Sequence, residues 1–295
     1  MRVVARLKAG DRVAVVAPSG PVPRERFEAG AAILRARYQL AYDDRIFAHT
    51  GFLAGDDDAR TKELQAALDD DSARAVFCAR GGYGLGRIVG RLDLRRVEKP
   101  VIGFSDTTAL HGALQQAGLR SVHGPVVTQL GDLPTDDADA LFALLETDRP
   151  APPVVGLRPL GSSGRAGGRL VGGNLEVLSR LVGTSHFPSL ADAVLLLEDV
   201  GERPYRMDRA LTQLANAGAL HGLRGCVVGD LVGCVEKDGS GPTAEDVIAE
   251  RLAHLKIPVA AGLPIGHGKR NRPVVLGGYV VLEHDTLTFV DSLVA

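Results

Sequence analysis

The sequence contains no tryptophan, and its aromatic residues make up only 4% of 295 residues. A broad aromatic surface for stacking nucleobases or sugars is therefore not expected. The formal net charge is only -2, from 34 basic and 36 acidic residues, so no global field favours nucleic acid or an anionic membrane surface. We expect the ligand to be a small molecule or a peptide, with no nucleic-acid partner.

Cysteine is equally scarce. The three cysteines, Cys78, Cys226 and Cys234, lie in apolar surroundings without a Cys-x-x-Cys pair, which favours a reducing compartment and argues against disulfides or a zinc site. The 8 histidines show no His-Glu-x-x-His spacing, so we expect no metal. No signal-peptide pattern and no run of roughly 20 apolar residues is present, so we expect a cytoplasmic protein that does not enter the membrane.

Apolar strands and amphipathic helices alternate along the first part of the chain. Residues 12–17, 75–78 and 101–104 predict buried strands, and helical spacing of apolar residues follows each of them. This alternation predicts an α/β fold, with a parallel sheet covered by helices on both faces and functional loops at the carboxyl ends of its strands.

The composition changes after residue 130. An acidic run, a proline-rich segment and a Gly/Ser-rich segment follow one another up to residue 173. We therefore predict an N-terminal α/β domain over residues 1–130, a linker over 131–165 and a smaller mixed α/β C-terminal domain over 166–295. Short strands at 274–276, 279–282 and 287–290 are expected to close the second domain.

Ser105 stands where an apolar strand gives way to a helix. A hydroxyl at such a turn projects from the carboxyl edge of the sheet beside a helix N-terminus, which suits a nucleophile next to an oxyanion site. The alternative is a simple helix N-cap, a position that serine favours. Cys78 is a rival nucleophile, but its apolar strand predicts a small buried side chain.

A glycine-rich loop covers residues 81–86. Glycines at a strand-to-helix turn bind anions or relieve strain, and the spacing here fails the G-x-G-x-x-G and Walker patterns. A plain turn, or a loop that lends one N–H to an oxyanion hole, fits better than a nucleotide site.

Two later residues could assist a nucleophile. His267 lies between glycines after an apolar run, either as a residue of a cleft or as a solvated loop histidine, and His123 is its nearest rival. Glu198 ends an apolar strand, where a half-buried carboxylate needs a partner such as an imidazole, or else caps the following turn. Asp199 and Glu202 are expected to be exposed.

Six stretches, taken together, resemble a known family. The resemblance is carried by residues 11–20, 79–84, 102–108, 172–175, 197–205 and 262–268. In this order they resemble the L,D-carboxypeptidase family of serine peptidases, also known as muramoyltetrapeptide carboxypeptidases, over nearly the whole chain. The resemblance implies an α/β N-terminal domain joined to a smaller C-terminal domain, with the active site between them.

The resemblance also assigns catalytic roles. It implies Ser105 as the nucleophile, His267 as the general base and Glu198 as the carboxylate that orients the imidazole, without a metal or an organic cofactor. The turn departs from the Gly-x-Ser-x-Gly elbow, because Thr107 stands at the place of the second glycine.

The resemblance implies an oxyanion hole as well. The backbone N–H groups of Asp106 and Gly82 are the expected donors, with Gly81 as the fallback. A cation must hold the terminal carboxylate of a carboxypeptidase substrate, and the candidates are Arg80, Arg206 and Lys269.

The implied reaction is hydrolysis of the amide between an L-centre, such as that of meso-diaminopimelate, and a terminal D-alanine in murein tetrapeptides during cell-wall recycling. One alternative is a microcin-immunity-type peptidase acting on peptidyl-nucleotides, against which the lack of tryptophan counts. Another is a ligand-binding relative without catalysis. Dimers are common in this family, so a homodimer is a further expectation, although no sequence feature fixes one.

Overall fold

A computed structural model of the chain describes residues 1–237 and 239–295. The strands are β1 (Arg12–Val16), β2 (Gln39–Ala41), β3 (Val76–Cys78), β4 (Val101–Gly103), β5 (Ser121–His123), β6 (Arg158–Pro159), β7 (Arg165–Asn174), β8 (Ala193–Val200), β9 (Gly225–Val232), β10 (Val259–Ala261), β11 (Val274–Leu276), β12 (Tyr279–Glu283) and β13 (Thr286–Phe289). The helices are α1 (Arg24–Arg35), α2 (Asp57–Asp69), α3 (Leu85–Ile88), α4 (Thr108–Gln116), α5 (Val127–Leu130), α6 (Thr135–Glu146), α7 (Leu175–Arg180), α8 (Pro204–Asn216) and α9 (Ala244–Ala253).

The first sheet has six strands in the order β11-β5-β4-β3-β1-β2, and all neighbours are parallel except β11 and β5. Alternate residues of its strands point to opposite faces. Val15 packs in the cluster that includes Phe27 of α1, whereas Val16 packs in the cluster that includes Leu110 of α4. Apolar helices therefore cover both faces of this sheet, as the sequence predicts.

The second sheet has seven strands in the order β13-β12-β7-β8-β9-β10-β6. Its centre, β7 to β10, is parallel, and β6, β12 and β13 are antiparallel. One face packs against α8 and α9 through the cluster that holds Leu195 and Leu211, and the other face carries the cluster that holds Leu196 and Val280. The two sheets, each packed against helices, confirm the predicted α/β class.

Within the described ranges, no helix combines the length and apolar character needed to span a bilayer.

Two segments lie elsewhere than the sequence suggested. Residues 274–276 were expected in the second domain, but β11 pairs with β5 of the first sheet, with Val275 opposite Val122. Residues 131–165, expected as a linker, contain α6, whose Leu141 and Leu145 are buried in the first core. Apolar side chains at helical spacing anchor this segment to the first sheet.

A buried polar network holds the loop between β10 and β11 against the N-terminal half of the chain. Asp137 on α6 has no exposed surface and accepts hydrogen bonds from the Arg270 guanidinium, at 2.5 and 2.9 Å, and from the Asn271 N–H at 3.0 Å. The Asn271 amide donates to Gln129 at 2.7 Å, and Gln129 donates to the Gly266 carbonyl at 3.1 Å. Every member of this network has a partner, as a buried polar group requires.

Replacing Asp137 by alanine should lower the free energy of unfolding by about 3 kcal/mol, because the buried Asn271 N–H and the Arg270 guanidinium lose their shared acceptor. Urea-induced unfolding followed by circular dichroism measures this loss. The matched control is Asp139→Ala on an exposed position of the same helix, which should stay within ~0.5 kcal/mol of the parent chain. Equal effects of the two substitutions would contradict the role given to Asp137.

Candidate active site

Ser105 sits on a strained turn at the carboxyl end of β4. Residues Ser105–Thr107 form a single 3-10 turn that leads directly into α4. The φ of Ser105 is 63°, a left-handed value that costs energy for a residue other than glycine and that is concentrated at functional sites. The turn leaves the Ser105 side chain partly exposed between buried neighbours.

Gly81 lies directly against this serine. A methyl group placed on Gly81 would be 2.8 Å from Ser105 Cβ and 3.0 Å from its Oγ. Gly82 has a φ of 108°, and a methyl group there would meet Gly20 at 3.3 Å. The first glycine of the loop therefore has to be glycine so that the backbone can approach the hydroxyl.

The Asp106 side chain holds the turn in place through buried hydrogen bonds. It is 4% exposed and accepts hydrogen bonds from Ser19 Oγ at 2.6 Å and from the Leu85 N–H at 2.8 Å. Burial raises the pKa of its carboxyl group, and the two donated hydrogen bonds oppose that rise. Three loops at the carboxyl edge of the first sheet thus meet at one carboxylate. The sequence predicted a role only for the backbone N–H of Asp106 and none for its side chain.

Glu198, near the end of β8, contacts His267 in the loop between β10 and β11. Glu198 Oε2 lies 2.7 Å from His267 Nδ1, with the Glu198 side chain fully buried and the His267 side chain 19% exposed. The register between β8 and β9 shifts between Leu197 and Asp199, and such an irregularity re-aims the side chain beside it. A methyl group on Gly266 would lie 3.0 Å from Glu198 Oε2, so glycine before His267 leaves room for this contact.

The imidazole also packs on the residue that precedes the serine. The ring centroids of Phe104 and His267 are 4.7 Å apart. Among the hydrogen bonds of the described residues, none joins Ser105 to His267. The structure therefore brings Glu198 and His267 into direct contact, and it brings His267 next to the Ser105 turn through Phe104.

The rival residues are both buried. Cys78 has no exposed surface, and burial raises the pKa of its thiol to about 12, so it is a poor nucleophile. His123 is also fully buried against Phe104, at 5.9 Å between ring centroids, and burial holds its pKa well below the usual value. Neither side chain reaches the solvent side of the cleft.

Asp199 was expected to be exposed, and this prediction is wrong. It is 3% exposed and accepts hydrogen bonds from Asn174 Nδ2 at 3.0 Å, the Glu176 N–H at 3.0 Å and the Val200 N–H at 2.8 Å. Burial raises its pKa to about 6, and the neighbouring Glu198 adds to that rise. The burial comes from the end of β7 and the start of α7, which cover this carboxylate from a distant part of the chain.

The three expected cations occupy different places. Arg80 precedes Gly81 and donates a hydrogen bond to the Pro21 carbonyl. Lys269 is exposed, two positions after His267. Arg206 lies on α8 beside Tyr205 and Glu202, and among the described residues no hydrogen bond or ion pair links it to Ser105, Glu198 or His267. Arg80 and Lys269 are thus next in sequence to parts of the site, whereas Arg206 is held in another cluster.

Asp230 on β9 belongs to the site and was missed. Its Oδ2 accepts a hydrogen bond from the Gly268 N–H at 3.1 Å, immediately after His267. Its position near the carboxyl end of a strand beside β8 is the signal that could have found it, because the functional loops of such a sheet gather there.

Comparisons with known proteins agree with this architecture. The family model described as the LD-carboxypeptidase N-terminal domain matches residues 13–124, and the model of the LD-carboxypeptidase C-terminal domain matches residues 167–282. A murein tetrapeptide carboxypeptidase of Pseudomonas aeruginosa is 34% identical over 294 residues, which cover 94% of each chain.

Solved structures show the same fold. A muramoyltetrapeptide carboxypeptidase from Oxalobacter formigenes superposes with a TM-score of 0.84 at 27% identity, over 95% of this chain and 99% of that one. The microcin C7 self immunity protein MccF, solved in complex with aspartyl sulfamoyl adenosine, gives a TM-score of 0.91 at 19% identity over 100% of both chains. At that identity the second likeness concerns the fold alone.

The fold and the two family models together place the chain in a class of peptidases, which are hydrolases, with two α/β domains. The chain belongs to the LD-carboxypeptidase family, and its general activity is that of a carboxypeptidase.

Gly81→Ala should lower kcat/KM by roughly 100-fold, because its methyl group would displace the Ser105 side chain by several tenths of an ångström. Gly86→Ala is the matched control, since nothing lies within 4 Å of its added methyl group. Steady-state kinetics together with circular dichroism spectra compare the two variants. Full activity of Gly81→Ala would contradict the packing described for the turn.

The pKa of Asp199 predicts a pH-dependent stability. Its folded pKa of about 6 lies above the usual value for aspartate, so its contribution to stability is present at low pH and is lost as the pH rises through 6. The variant Asp199→Asn lacks this carboxyl group and should not lose that stability. The unfolding free energy of the variant minus that of the parent chain should therefore be about 2 kcal/mol more positive at pH 7.5 than at pH 4.5. Urea unfolding at both pH values measures the difference, and a difference independent of pH would contradict the shift.

Proposed function

We propose that this chain is a serine L,D-carboxypeptidase that removes the terminal D-alanine from murein tetrapeptides in cell-wall recycling. The observation that carries the proposal is the 2.7 Å contact between Glu198 and His267, with the imidazole packed beside the strained Ser105 turn. A carboxylate that orients an imidazole next to an activated hydroxyl is the arrangement that acyl transfer requires. The murein tetrapeptide carboxypeptidase of Pseudomonas aeruginosa, at 34% identity, supports the substrate class.

In the proposed mechanism, Ser105 Oγ attacks the carbonyl carbon of the scissile amide while His267 Nε2 takes its proton. The imidazolium then returns that proton to the nitrogen of the leaving D-alanine, and the C–N bond breaks to give an acyl-enzyme ester. Water, deprotonated by the same imidazole, hydrolyses the ester and restores Ser105. Glu198 accepts the Nδ1 hydrogen bond throughout and stabilises the imidazolium.

The proposed oxyanion donors are backbone N–H groups at the end of the first sheet. Asp106 supplies one from the turn that follows the nucleophile, and Gly82 or Gly81 supplies the other. A methyl group on Gly81 would lie 2.8 Å from Ser105 Cβ, so this part of the glycine loop lies beside the proposed nucleophile. Arg80 and Lys269, which neighbour the two loops in sequence, are the proposed partners of the terminal carboxylate.

A second candidate function is hydrolysis of a peptidyl-nucleotide. It is favoured by one observation, an exposed aromatic pair beside the glycine loop: Phe52 and Tyr83 are 64% and 53% exposed, with ring centroids 5.5 Å apart. Such a pair could stack a nucleobase without tryptophan. Parallel assays with a tetrapeptide and an aminoacyl sulfamoyl adenosine discriminate the two, because only one of them should be turned over efficiently.

Ser105→Ala and Glu198→Gln test the proposed triad. Removal of the nucleophile should lower kcat for release of D-alanine by at least roughly 10⁴-fold, and the neutral amide, which cannot stabilise the imidazolium, should lower it by roughly 10³–10⁴-fold. Release of D-alanine and tripeptide is followed by mass spectrometry. The control is Ser189→Ala, at an exposed serine in the segment before β8.

Full activity of Ser105→Ala would exclude the proposed nucleophile. A fluorophosphonate that labels the parent chain but not Ser105→Ala would support it. Ligand binding without labelling or turnover would instead identify a relative without catalysis.

A further inference from the structure

A fully buried arginine packs against the glycine loop. The side chain of Arg60, on α2, has no exposed surface. Its Nη1 donates a hydrogen bond to the Pro18 carbonyl, and its Nη2 donates to Asp57 Oδ1 at 2.6 Å. A buried ion pair often adds no more stability than well-packed apolar side chains of similar volume. Stability alone therefore does not account for a guanidinium at this position.

Pro18 begins a turn that contacts the first part of the glycine loop. The Gly20 N–H donates to the Gly81 carbonyl at 3.1 Å, and a methyl group on Gly20 would lie 3.2 Å from that carbonyl oxygen. Gly81 in turn lies directly against Ser105. By holding the Pro18 carbonyl, Arg60 therefore fixes the turn on which the glycine next to the proposed nucleophile rests.

The second part of the glycine loop packs on the guanidinium itself. A methyl group on Gly84 would lie 2.6 Å from Arg60 Nη1, so only glycine lets the loop backbone approach this closely. Asp57, the partner of Arg60, also accepts hydrogen bonds from the Arg87 guanidinium, at 2.7 and 2.9 Å, just after the loop. Arg60 thus contacts one part of the loop directly and reaches the helix that follows it through Asp57.

We propose that Arg60 is a positioning residue whose buried guanidinium sets the placement of the glycine loop, and of its oxyanion donor, relative to Ser105. The inference rests on the proposed serine peptidase function. Oxyanion donors act when they lie about 2.7–3.1 Å from the oxygen that becomes negative in the transition state. A small shift of the loop therefore weakens transition-state stabilisation and leaves binding of the intact peptide nearly unchanged.

A merely structural role of Arg60 makes a different prediction. If the side chain only stabilised the fold, its replacement would lower the fraction of folded chains, and each folded chain would react at the parent rate. A fluorophosphonate distinguishes the two roles. The final extent of Ser105 labelling counts the folded chains, whereas the rate constant of labelling reports the nucleophile and the oxyanion donors within each of them.

Arg60→Met removes the guanidinium and keeps an unbranched side chain. The rate constant for labelling of Ser105 and kcat for release of D-alanine should each fall by roughly 30–100-fold, and KM should change by less than about 3-fold. The final extent of labelling should equal that of the parent chain. The matched control is Lys62→Met, at an exposed cation on the same helix, which should keep the parent values.

Asp57→Ala is the second variant, and it decides the question where Arg60→Met does not fold. Asp57 is partly exposed in the first turn of α2, and its removal releases both Arg60 and Arg87 while the guanidinium stays in place. The rate constant for labelling should fall by roughly 3–10-fold, again with the full extent of labelling.

A parent-like rate constant in the folded variant would overturn the positioning role of Arg60, even where the extent of labelling is reduced, and would leave the carboxypeptidase function in place. If the parent chain is labelled at Ser105 with a rate that depends on Arg60 but releases no D-alanine, the carboxypeptidase function falls and the positioning role stands. Absence of labelling at Ser105 in the parent chain would overturn both.

Discussion

The contact between Glu198 and His267 is the constraint on which the second half of the site depends. A fully buried carboxylate requires a hydrogen-bond partner, and His267 Nδ1 meets Glu198 Oε2 at 2.7 Å. The loop around His267 is shaped to keep the ring there, since Gly266 leaves space for the carboxylate and Asn271 accepts the Gly266 N–H at 3.1 Å. Loss of the His267 contact would leave the fully buried Glu198 side chain without its hydrogen-bond partner.

Both halves of the site use a buried aspartate for the same purpose. Asp106 gathers Ser19 and the Leu85 N–H beneath the serine turn, and Asp137 gathers Arg270 and the Asn271 N–H behind the histidine loop. Each carboxylate is satisfied by donors from other segments, so it fixes the relative positions of those segments rather than adding bulk stability. Because Asp137 stands on α6, the loop with His267 is tied to the same core that carries Ser105.

Local patterns predicted what local forces determine. The strand before Ser105, the helix after it and the glycines around His267 were legible because each depends on neighbours in sequence. The pairing of β11 with β5 was not legible, since it joins residues about 150 positions apart and depends on which sheet has a free edge. The burial of Asp199 was hidden for the same reason, because its donors Asn174 and Glu176 lie on a different strand and helix.

Charge is distributed in a way that bulk composition conceals. The whole chain is nearly neutral, with a formal net charge of -2, yet Glu198, Asp199 and Asp230 stand together at the carboxyl end of the second sheet. These carboxylates nevertheless serve different parts of the fold. Glu198 meets His267 Nδ1 at 2.7 Å, and Asp230 accepts the Gly268 N–H at 3.1 Å, so both shape the histidine loop. Asp199 instead accepts hydrogen bonds from Asn174 and from the Glu176 N–H, so it ties β8 to the start of α7. Neighbouring acidic residues at the end of one strand therefore fix two separate segments, because each carboxylate is satisfied by different donors.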